Sequence, residues 1–298
     1  MIDPTSAFEG GIVTGAARLH RLAAFSESPD GGNPAGVWIG DALPSDEEMR
    51  RIAAEVGYSE TAFVAPAEGA DRTIRYYSPQ AEVSFCGHAT VATGVVLGED
   101  EGDGTYRLST SVGVVPVTVR TRDGAWEASF TSVVPRHESA PRETVAAVLA
   151  ALRWADEDLD VSIPPAKAYA GAWHLVLAVL REERLADLDY DFEQLRALMV
   201  DEGLTTLQLI WREAPDVFHA RNPFPVGGVV EDPATGASAA ALGGYLRDAG
   251  LVSVPATLCI HQGEAMGRPS RITVDIPSSG GIIVTGSAVR IPDAEASR

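Results

Sequence analysis

The chain has 298 residues, and the 45% that are apolar are enough to bury the cores of two domains of ordinary size. Its formal net charge of −19 argues against nucleic acid or an anionic membrane surface as a partner. Two cysteines argue against a disulfide scaffold, and no apolar run reaches the roughly 18 residues of a membrane span. Residues 1–16 lack the apolar core of a signal peptide and are interpreted as a flexible lead-in, so we expect a cytoplasmic protein.

The first half of the chain predicts short strands and an amphipathic helix. Ser45 and Glu48 form a capping box at the start of this helix, and Gly57 ends it. Turn residues fill 28–34, and acidic residues and glycines predict a loop over 98–104. The predicted strands are 18–25, 37–39, 63–64, 73–77, 105–109, 114–120 and 125–130.

A second helix begins at a stretch whose chemistry points to a binding site. An apolar strand ends at Ser84–Cys86, the chain turns at Gly87, and small residues follow over Ala89–Leu97. Free N–H groups at such a helix start attract anions, and a histidine there can donate to a carboxylate or move a proton near neutral pH. We therefore expect Gly87 and His88 to face a small anionic ligand.

The second half repeats this design, because the polar turn Glu231–Gly236 leads into a predicted helix of small residues over 235–249. Two further echoes support a repeat: Gly113–Pro116 with Gly267–Ser270, and Asn33–Pro34 with Asn222–Pro223. The remaining predicted elements are a crossing between the halves at 135–141, helices at 143–152 and 192–202, and strands at 173–180, 204–211, 217–221, 257–262, 271–276 and 282–289. Strands outnumber helices and hairpin-length links are common, which predicts an α+β fold with mostly antiparallel sheet.

Motifs for common cofactors do not occur in the sequence. There is no G-x-G-x-x-G after a strand, no G-x-x-x-x-G-K-[ST] loop and no G-x-S-x-G elbow, which argues against dinucleotide, ATP and serine hydrolase chemistry. Cys259 and His261 share one face of a strand, but the sequence offers no second pair of ligands nearby, so no zinc site is predicted. We expect neither a metal nor a cofactor.

Three titratable residues have suggestive positions, each with a plainer interpretation. Glu60 lies at a strand entrance among apolar neighbours, which suits a general acid–base, although a solvated strand-entrance acid would look the same. Asp232 before Pro233 is equally typical of a turn or helix-cap acid. His88 is alternatively a residue that caps its helix.

Cys86 is open to two interpretations. Beside a helix start its pKa would fall, which suits a nucleophile or a proton-carrying thiol, but a buried small apolar residue is the commoner case. A racemase that uses two thiols needs a second cysteine facing the first, and the second half has Pro233 or Asp232 where that partner is expected. This weighs against a two-thiol mechanism.

Five segments together make the chain resemble the phenazine-biosynthesis PhzF-like family, whose members are relatives of diaminopimelate epimerase. They span about residues 18–290 in the order of the family. The segments are Phe25 with Gly32–Val37, Ser59–Phe63, Phe85–Thr90, Glu231–Gly236, and Gln262–Gly263 with Met266–Ser270.

The resemblance implies two pseudo-symmetric domains, each a curved, mostly antiparallel sheet around a central helix, with the active site in the cleft between them. The domains would be 1–134, completed by strand 282–290, and 135–281, and the protein would be a homodimer. Glu60 would be the proton-transferring base, with no cofactor and no metal. The residues expected to bind substrate are Asn33, Gly87, His88, Asp232, Thr235 and Gly236.

One departure from the family concerns the second helix start. The family usually continues as Thr-Gly-Ser with that serine in the site, whereas this chain has Thr235-Gly236-Ala237-Ser238. Ser238 lies roughly 100° further around the helix, so either the helix start shifts, or Thr235 or a water replaces the hydroxyl. This puts activity on the phenazine precursor in doubt.

The leading hypothesis is a cofactor-independent isomerase or epimerase that acts on a small carboxylate metabolite. Proton abstraction next to an acidifying group requires one tuned acid and a dry cleft. The alternatives are a small-anion binding protein on the same fold without turnover and a thiol-dependent racemase that uses Cys86.

Overall fold

A computed structural model describes residues 17–67 and 71–292, and the predicted lead-in over 1–16 lies outside this range. The first half contains β1 (Arg18–Ala24), β2 (Asn33–Ile39), α1 (Asp46–Val56), β3 (Glu60–Pro66), β4 (Arg72–Tyr77), β5 (Glu82–Val83), α2 (Gly87–Glu101), β6 (Gly104–Thr110), β7 (Gly113–Arg122) and β8 (Ala125–Thr131). The second half contains β9 (Arg136–Ser139), α3 (Arg142–Leu152), β10 (Ala166–Tyr169), β11 (Trp173–Val179), α4 (Glu182–Ala186), α5 (Phe192–Asp201), β12 (Thr206–Ala214), β13 (Val217–Pro223), β14 (Glu231–Asp232), α6 (Gly236–Asp248), β15 (Ala256–Gln262), β16 (Ser270–Ile276) and β17 (Ile283–Arg290).

The two halves have the same strand topology. In the first half, β2 pairs parallel with β3, β3 antiparallel with β4, β4 parallel with β6, and β6, β7 and β8 follow as antiparallel neighbours. In the second half, β11, β12, β13, β15, β16 and β17 pair in the same order and with the same directions. The repeat and the α+β fold predicted from the sequence are therefore confirmed.

The halves are joined through their last strands. β8 pairs antiparallel with β17, and β17 also pairs with β16 through Ile283–Thr285 and with β1 through Ala288–Arg290. β9 occupies the predicted crossing at 135–141 and pairs with β10. The boundary between domains 1–134 and 135–281 stays a prediction, because β17 has hydrogen-bonded partners in both halves.

The two central helices, α2 and α6, consist mainly of small residues because the strands of each half approach them closely. α2 is buried continuously over His88–Gly98. A Cβ added at Gly94 would lie 2.6 Å from the Ala128 Cβ and 2.8 Å from the Val117 Cγ1, and one added at Gly244 would collide with Pro135. Only glycine fits such positions, so the sequence of the helix sets how tightly the sheet can curve around it.

The other helices cover the outer faces of the sheet. Met49, Ile52, Ala53 and Val56 of α1 are buried, and this face packs in one cluster with Phe63. The capping box and glycine stop predicted for this helix are confirmed in part: the Ser45 side chain accepts from the Glu48 backbone N–H, and Gly57 ends the helix in the left-handed region. α3 and α5 cover the outer face of the second half in the same way.

Three local predictions need correction. The turn predicted over 28–34 ends earlier, since Asn33 is the first residue of β2 and pairs with Ala24. The loop predicted over 98–104 is largely helical, because α2 continues to Glu101. The Asn33–Pro34 echo is not part of the repeat, since Asn33 begins β2 whereas Asn222 lies at the end of β13, the counterpart of β4.

Substituting Gly94 by Val tests the close approach of α2 to its sheet. The added methyl groups would overlap Ala128 and Val117, so we expect the free energy of unfolding to fall by about 1–3 kcal/mol. Urea unfolding measures this change. Gly104→Ala is the control, because a Cβ there meets open space and should change stability by less than about 0.5 kcal/mol. Equal stability of Gly94→Val and the unsubstituted protein would contradict the prediction.

Candidate functional site between two helix starts

The site predicted from the two repeated turns lies where α2 and α6 meet start to start. A Cβ added at Gly87 would lie 3.6 Å from the Cα of Gly236, so the first turns of both helices are in contact. The N-cap residues are Cys86 and Thr235, and the side chain of neither makes a capping hydrogen bond to its own helix start. Two adjacent helix starts with open N–H groups favour an anion between them.

Two aromatic rings close one side of this junction. Phe130 lies about equally close to the positions of a Cβ at Gly87 and at Gly236, at 3.2 and 3.3 Å from its Cζ. Phe25 follows β1 with φ +62°, a conformation that costs energy for a residue with a side chain, and its ring lies 3.3 Å from the Cβ position of Gly236. The rings exclude water from this side of the helix starts.

Glu60, Cys86 and His88 form one cluster on the first-half side of the site. The Glu60 Oε2 lies 3.4 Å from the His88 Nε2 and 3.7 Å from the Cys86 Sγ, and the Sγ lies 3.3 Å from the His88 Nδ1. Glu60 is the first residue of β3, and its side chain keeps 15% of its exposure. Ser59, the residue before it, places its hydroxyl 3.5 Å from the His88 Nε2. One carboxylate thus lies within ion-pair distance of a histidine at the start of α2.

Asn33 and Asp232 link the two halves. The Asn33 Nδ2 donates to the Asp232 Oδ1 at 2.7 Å and to the Ala234 carbonyl at 3.0 Å, and lies 3.2 Å from the His88 Nδ1. Asn33 is 2% exposed, so its amide is committed to these partners. The structure therefore brings Glu60, His88, Asn33 and Asp232 together from four separate elements, as the sequence analysis expected.

Gln262 holds the turn that carries Asp232, and sequence reasoning did not assign it to the site. Its Nε2 donates to the Asp232 carbonyl at 2.7 Å and to the Thr235 Oγ1 at 3.1 Å, while its Oε1 accepts from the Thr235 N–H. The Thr235 hydroxyl in turn donates to the Asp232 Oδ2 at 2.5 Å. The sequence contains a signal for this role. Leu258, Ile260 and Gln262 alternate along the buried face of β15, and Gln262 is the only polar residue among these three.

The environment of Asp232 raises the pKa of its carboxyl to about 6. Burial is the main cause, and the nearby Glu60 carboxylate acts in the same direction. His88 and the hydrogen bonds from Thr235 and Asn33 oppose the shift by stabilising the carboxylate. Among the described residues, neither Glu60 nor Asp232 forms an ion pair with Lys or Arg. The helix starts therefore do not compete with a cationic side chain paired to these carboxylates for a bound anion.

Cys86 is a protonated thiol in this environment. Burial, and then the Glu60 carboxylate, raise the pKa of Cys86 well above its ordinary value. The low pKa considered for a nucleophile is therefore wrong, because burial outweighs the helix start. The counterpart of Cys86 also needs correction: both Cys86 and Thr235 are N-cap residues, so the second half has a threonine, rather than Pro233 or Asp232, at the position equivalent to the thiol.

Ser238 does not enter the site. It is fully buried, and its hydroxyl donates to the Gln208 Oε1 in the interior of the second half. The helix start has not shifted to bring this serine forward, and the side chain nearest the position of the family's serine is the methyl group of Ala237. Thr235 supplies the nearest hydroxyl at this start, but that hydroxyl is engaged by Asp232.

Two groups of side chains have the residue types of a metal site. One atom each of Glu60, Cys86 and His88 lie within 4.8 Å of one another, which would allow them to hold a soft divalent ion. Hydrogen-bond contacts account for the same spacing. Outside the site, the Cys259 Sγ lies 3.5 Å from the His261 Nε2, and the His261 ring stacks on His219, a neighbour that the sequence pattern did not indicate.

Two repeated halves, each a sheet packed around a central helix whose start meets the other, define a fold that this chain shares with an epimerase of known structure. The structure resembles the hydroxyproline epimerase of Agrobacterium vitis with a TM-score of 0.60 at 15% identity, over 91% of this chain and 90% of that one. It resembles the PhzF-family phenazine biosynthesis protein of Bacillus anthracis more closely, with a TM-score of 0.81 at 26% identity, over 92% and 96% of the two chains.

Sequence comparison identifies the family. The model of the phenazine biosynthesis-like proteins, PhzC-PhzF, matches residues 22–294. The chain is 30% identical to an uncharacterized isomerase of Bacillus subtilis, over 92% of this chain and 96% of the relative. It is 31% identical to the trans-2,3-dihydro-3-hydroxyanthranilate isomerase of Pseudomonas aeruginosa, over 88% and 92%. The chain belongs to the PhzC-PhzF family and is an isomerase.

Within the described ranges, no helix is long and apolar enough to cross a membrane.

The raised pKa of Asp232 predicts a pH dependence of stability. Because the folded protein holds this proton more tightly than the unfolded chain does, the contribution of Asp232 to stability should fall as pH rises from 4 to 7. Asp232→Asn removes the titration, so its stability relative to the unsubstituted protein should increase by about 2–3 kcal/mol over this interval. Urea unfolding at several pH values measures the difference.

Asp123→Asn controls for the loss of one acidic charge, since the side chain of Asp123 is 97% exposed in a turn. Its stability difference from the unsubstituted protein should stay nearly constant with pH. A flat difference for Asp232→Asn as well would contradict the prediction.

Proposed function

We propose that the protein is a cofactor-independent isomerase that moves a proton between two carbons of a small carboxylate, with Glu60 as the base. The observation that carries the proposal is the position of Glu60. Its carboxylate lies 3.7 Å from the Sγ of Cys86, the N-cap residue of α2, and 3.4 Å from the His88 Nε2. A base and an anion site at contact distance are what proton abstraction next to an acidifying group requires.

The helix starts at Gly87 and Gly236 would hold the substrate carboxylate. Backbone N–H groups and the aligned helix dipoles stabilise an anion by about 0.3–1 kcal/mol per helix at exposed sites, and by more where the site is partly buried. They would also stabilise negative charge that spreads from the carbon toward the carboxylate when the proton leaves. Electrostatic stabilisation of this kind acts most strongly in a site from which water is excluded, and Phe25 and Phe130 supply that exclusion.

The reaction would use Glu60 twice. The carboxylate takes a proton from one carbon, and the electron pair of that C–H bond becomes part of a conjugated system. The Glu60 carboxyl, whose proton can exchange with solvent, then delivers a proton to another carbon of that system. Asp232 and His88 would hold polar groups of the substrate, since Asn33 and Thr235 fix the Asp232 carboxyl in one orientation. No oxidant or reductant is required, because the substrate and the product are isomers.

The substrate is expected to differ from that of the Pseudomonas relative at the α6 start. Ala237 offers a methyl group, whereas Ser238 is turned into the protein interior toward Gln208. A substrate group facing Ala237 therefore finds no side-chain hydroxyl and is expected to be apolar or to contact backbone N–H groups. The first compound to test is trans-2,3-dihydro-3-hydroxyanthranilate, followed by small unsaturated carboxylates that lack its 3-hydroxyl group.

Glu60→Gln tests the base. Glutamine keeps the size of the side chain but cannot accept the proton, so turnover and deuterium uptake from D₂O should fall by about 10²–10⁴-fold while ligand affinity changes little. Proton NMR of the candidate carboxylates in D₂O measures both processes. Glu55→Gln, on the exposed face of α1, is the control for loss of an acid and should retain full activity.

Two outcomes would contradict the proposal. Deuterium uptake by the Glu60→Gln variant at the normal rate would exclude Glu60 as the base and make Asp232 the next candidate. A ligand that binds the unsubstituted protein, seen as a thermal shift, without any exchange of its C–H groups would favour the alternative of a binding protein.

Cys86→Ser tests the thiol-dependent alternative. Burial raises the pKa of this thiol, and its counterpart in the second half is Thr235 rather than a second cysteine, so we assign it no step and expect the Cys86→Ser variant to retain most of its turnover. Inactivation by thiol alkylation has to be compared with the activity of this variant. A bulky adduct on Cys86 would block the cleft whether or not the thiol takes part in catalysis. Complete loss of turnover in Cys86→Ser would restore the thiol mechanism.

A further inference from the structure

A side chain that the proposed chemistry does not use ties the two halves together beside the site. Arg268 lies in the connection between β15 and β16. Its Nε donates to the Gly32 carbonyl at 2.7 Å, and its Nη2 donates to the Gly31 carbonyl. The Gly32 N–H donates in the opposite direction to the Pro269 carbonyl at 3.0 Å. These three hydrogen bonds join Gly31 and Gly32, at the end of the connection between β1 and β2, to the second half.

The contacts of Arg268 are unusual for a cation. Within the part of the chain that the structure describes, no carboxylate lies at ion-pair distance from its guanidinium, although the side chain is half-buried. Burial lowers the pKa of Arg268, but a guanidinium keeps its charge at neutral pH. Its planar fork can serve two successive carbonyl oxygens at once, which the single ammonium of a lysine cannot do with the same geometry.

The position of these carbonyls connects Arg268 to the site. Gly31 and Gly32 are followed at once by Asn33, whose amide donates to Asp232 and to the Ala234 carbonyl of the second half. The approach is close, because a Cβ at Gly31 would lie 2.6 Å from the Pro269 carbonyl oxygen. A displacement of the Gly31–Gly32 backbone would therefore move the Asn33 amide away from Asp232.

We propose that Arg268 is a positioning residue that fastens the Asn33-bearing connection to the second half and keeps the cleft closed over Glu60 and His88. Arg268 touches no reacting atom and acts through Asn33. The inference rests on the proposed function and adds to it the contacts that orient Asp232. The closure itself requires no substrate. Closure can therefore be measured even if the proposed reaction is wrong.

Cys86 is a built-in reporter of closure. It is 7% exposed, and its Sγ lies 3.3 Å from the His88 Nδ1, which is itself 3.2 Å from the Asn33 Nδ2. A Cys259→Ser background leaves Cys86 as the only thiol of the chain. The experiment measures the rate at which 4,4′-dithiodipyridine modifies this thiol in the full-length native protein, at one pH for all variants. Circular dichroism and thermal unfolding establish that each variant is folded.

Arg268→Gln should raise the modification rate by about tenfold or more, because hydrogen bonds from a charged donor change the population of an open state by at least that order. Arg268→Lys should react like Arg268→Gln, since it keeps the charge and loses the fork. Arg271→Gln is the matched control three residues away: its side chain is exposed, and its backbone N–H, which the substitution keeps, donates to the Phe25 carbonyl. Its rate should equal that of the background.

Asn33→Ala separates positioning from general stabilisation. If Arg268 acts through Asn33, Asn33→Ala alone should raise the rate, and adding Arg268→Gln should raise it little further. If the rate increases caused by Asn33→Ala and Arg268→Gln multiply in the double variant, Arg268 acts independently of Asn33, and the inference is overturned. An unchanged rate in Arg268→Gln would overturn it directly, and a background-like rate in Arg268→Lys would show that the charge is sufficient and the fork is not used.

Discussion

The site depends on two helix N-termini that face each other at contact distance. Each carries a partial positive charge of about half an elementary charge, so their approach is unfavourable unless negative charge lies between or beside them. Glu60 and Asp232 supply that charge, one from each half, and a substrate carboxylate would add to it. The arrangement explains why an anion site can be built without Lys or Arg beside these carboxylates: a further cation would add to the repulsion.

Close contact between the helix starts places demands on the sequence far from the site. The axes of α2 and α6 can converge only if the sheets wrap them tightly, which requires glycine at positions such as Gly94 and Gly244. Phe25 accepts a backbone conformation that disfavours residues with side chains, and its ring packs against Gly286 and the start of α6. The cost of this strain is small beside the burial of an aromatic ring, typically worth about 1.5–3 kcal/mol.

Local signals in the sequence predicted most of the fold, while long-range contacts set the details of the site. The cap at Ser45, the stop at Gly57 and both helix starts could be predicted because a few neighbouring residues determine them. The Asn33–Asp232 hydrogen bond joins residues 199 positions apart, and no local pattern indicates it. Ser238 could not be placed because one residue of a helix turns a side chain by about 100°, and only the packed structure decides which direction faces the cleft.

The repeat also supports a mechanism with one base. The strand registers make Thr206 the counterpart of Glu60. Glu60 lies two residues before Ala62, which pairs with Tyr76, and Tyr76 pairs with β5, the strand that precedes the first helix start. Thr206 lies three residues before Leu209, which pairs with Arg221, and the residue after Arg221 pairs with β14, the strand that precedes the second helix start. Ala237 is likewise the counterpart of His88. Thr206 is buried and its hydroxyl is hydrogen-bonded to His174, so the second half has no ionisable group at the position where the first half has its carboxylate.

This asymmetry bears on the kind of isomerisation. Inversion of a single carbon needs a proton donor and a proton acceptor on opposite faces of the substrate, which a symmetric pair of titratable residues would provide. In the proposed mechanism Glu60 would face the substrate from one side, and the carboxyl oxygens of Asp232 already accept from Asn33 and Thr235. A single mobile carboxylate can remove a proton and return it only on its own face, which favours a shift between carbons over epimerisation at one carbon.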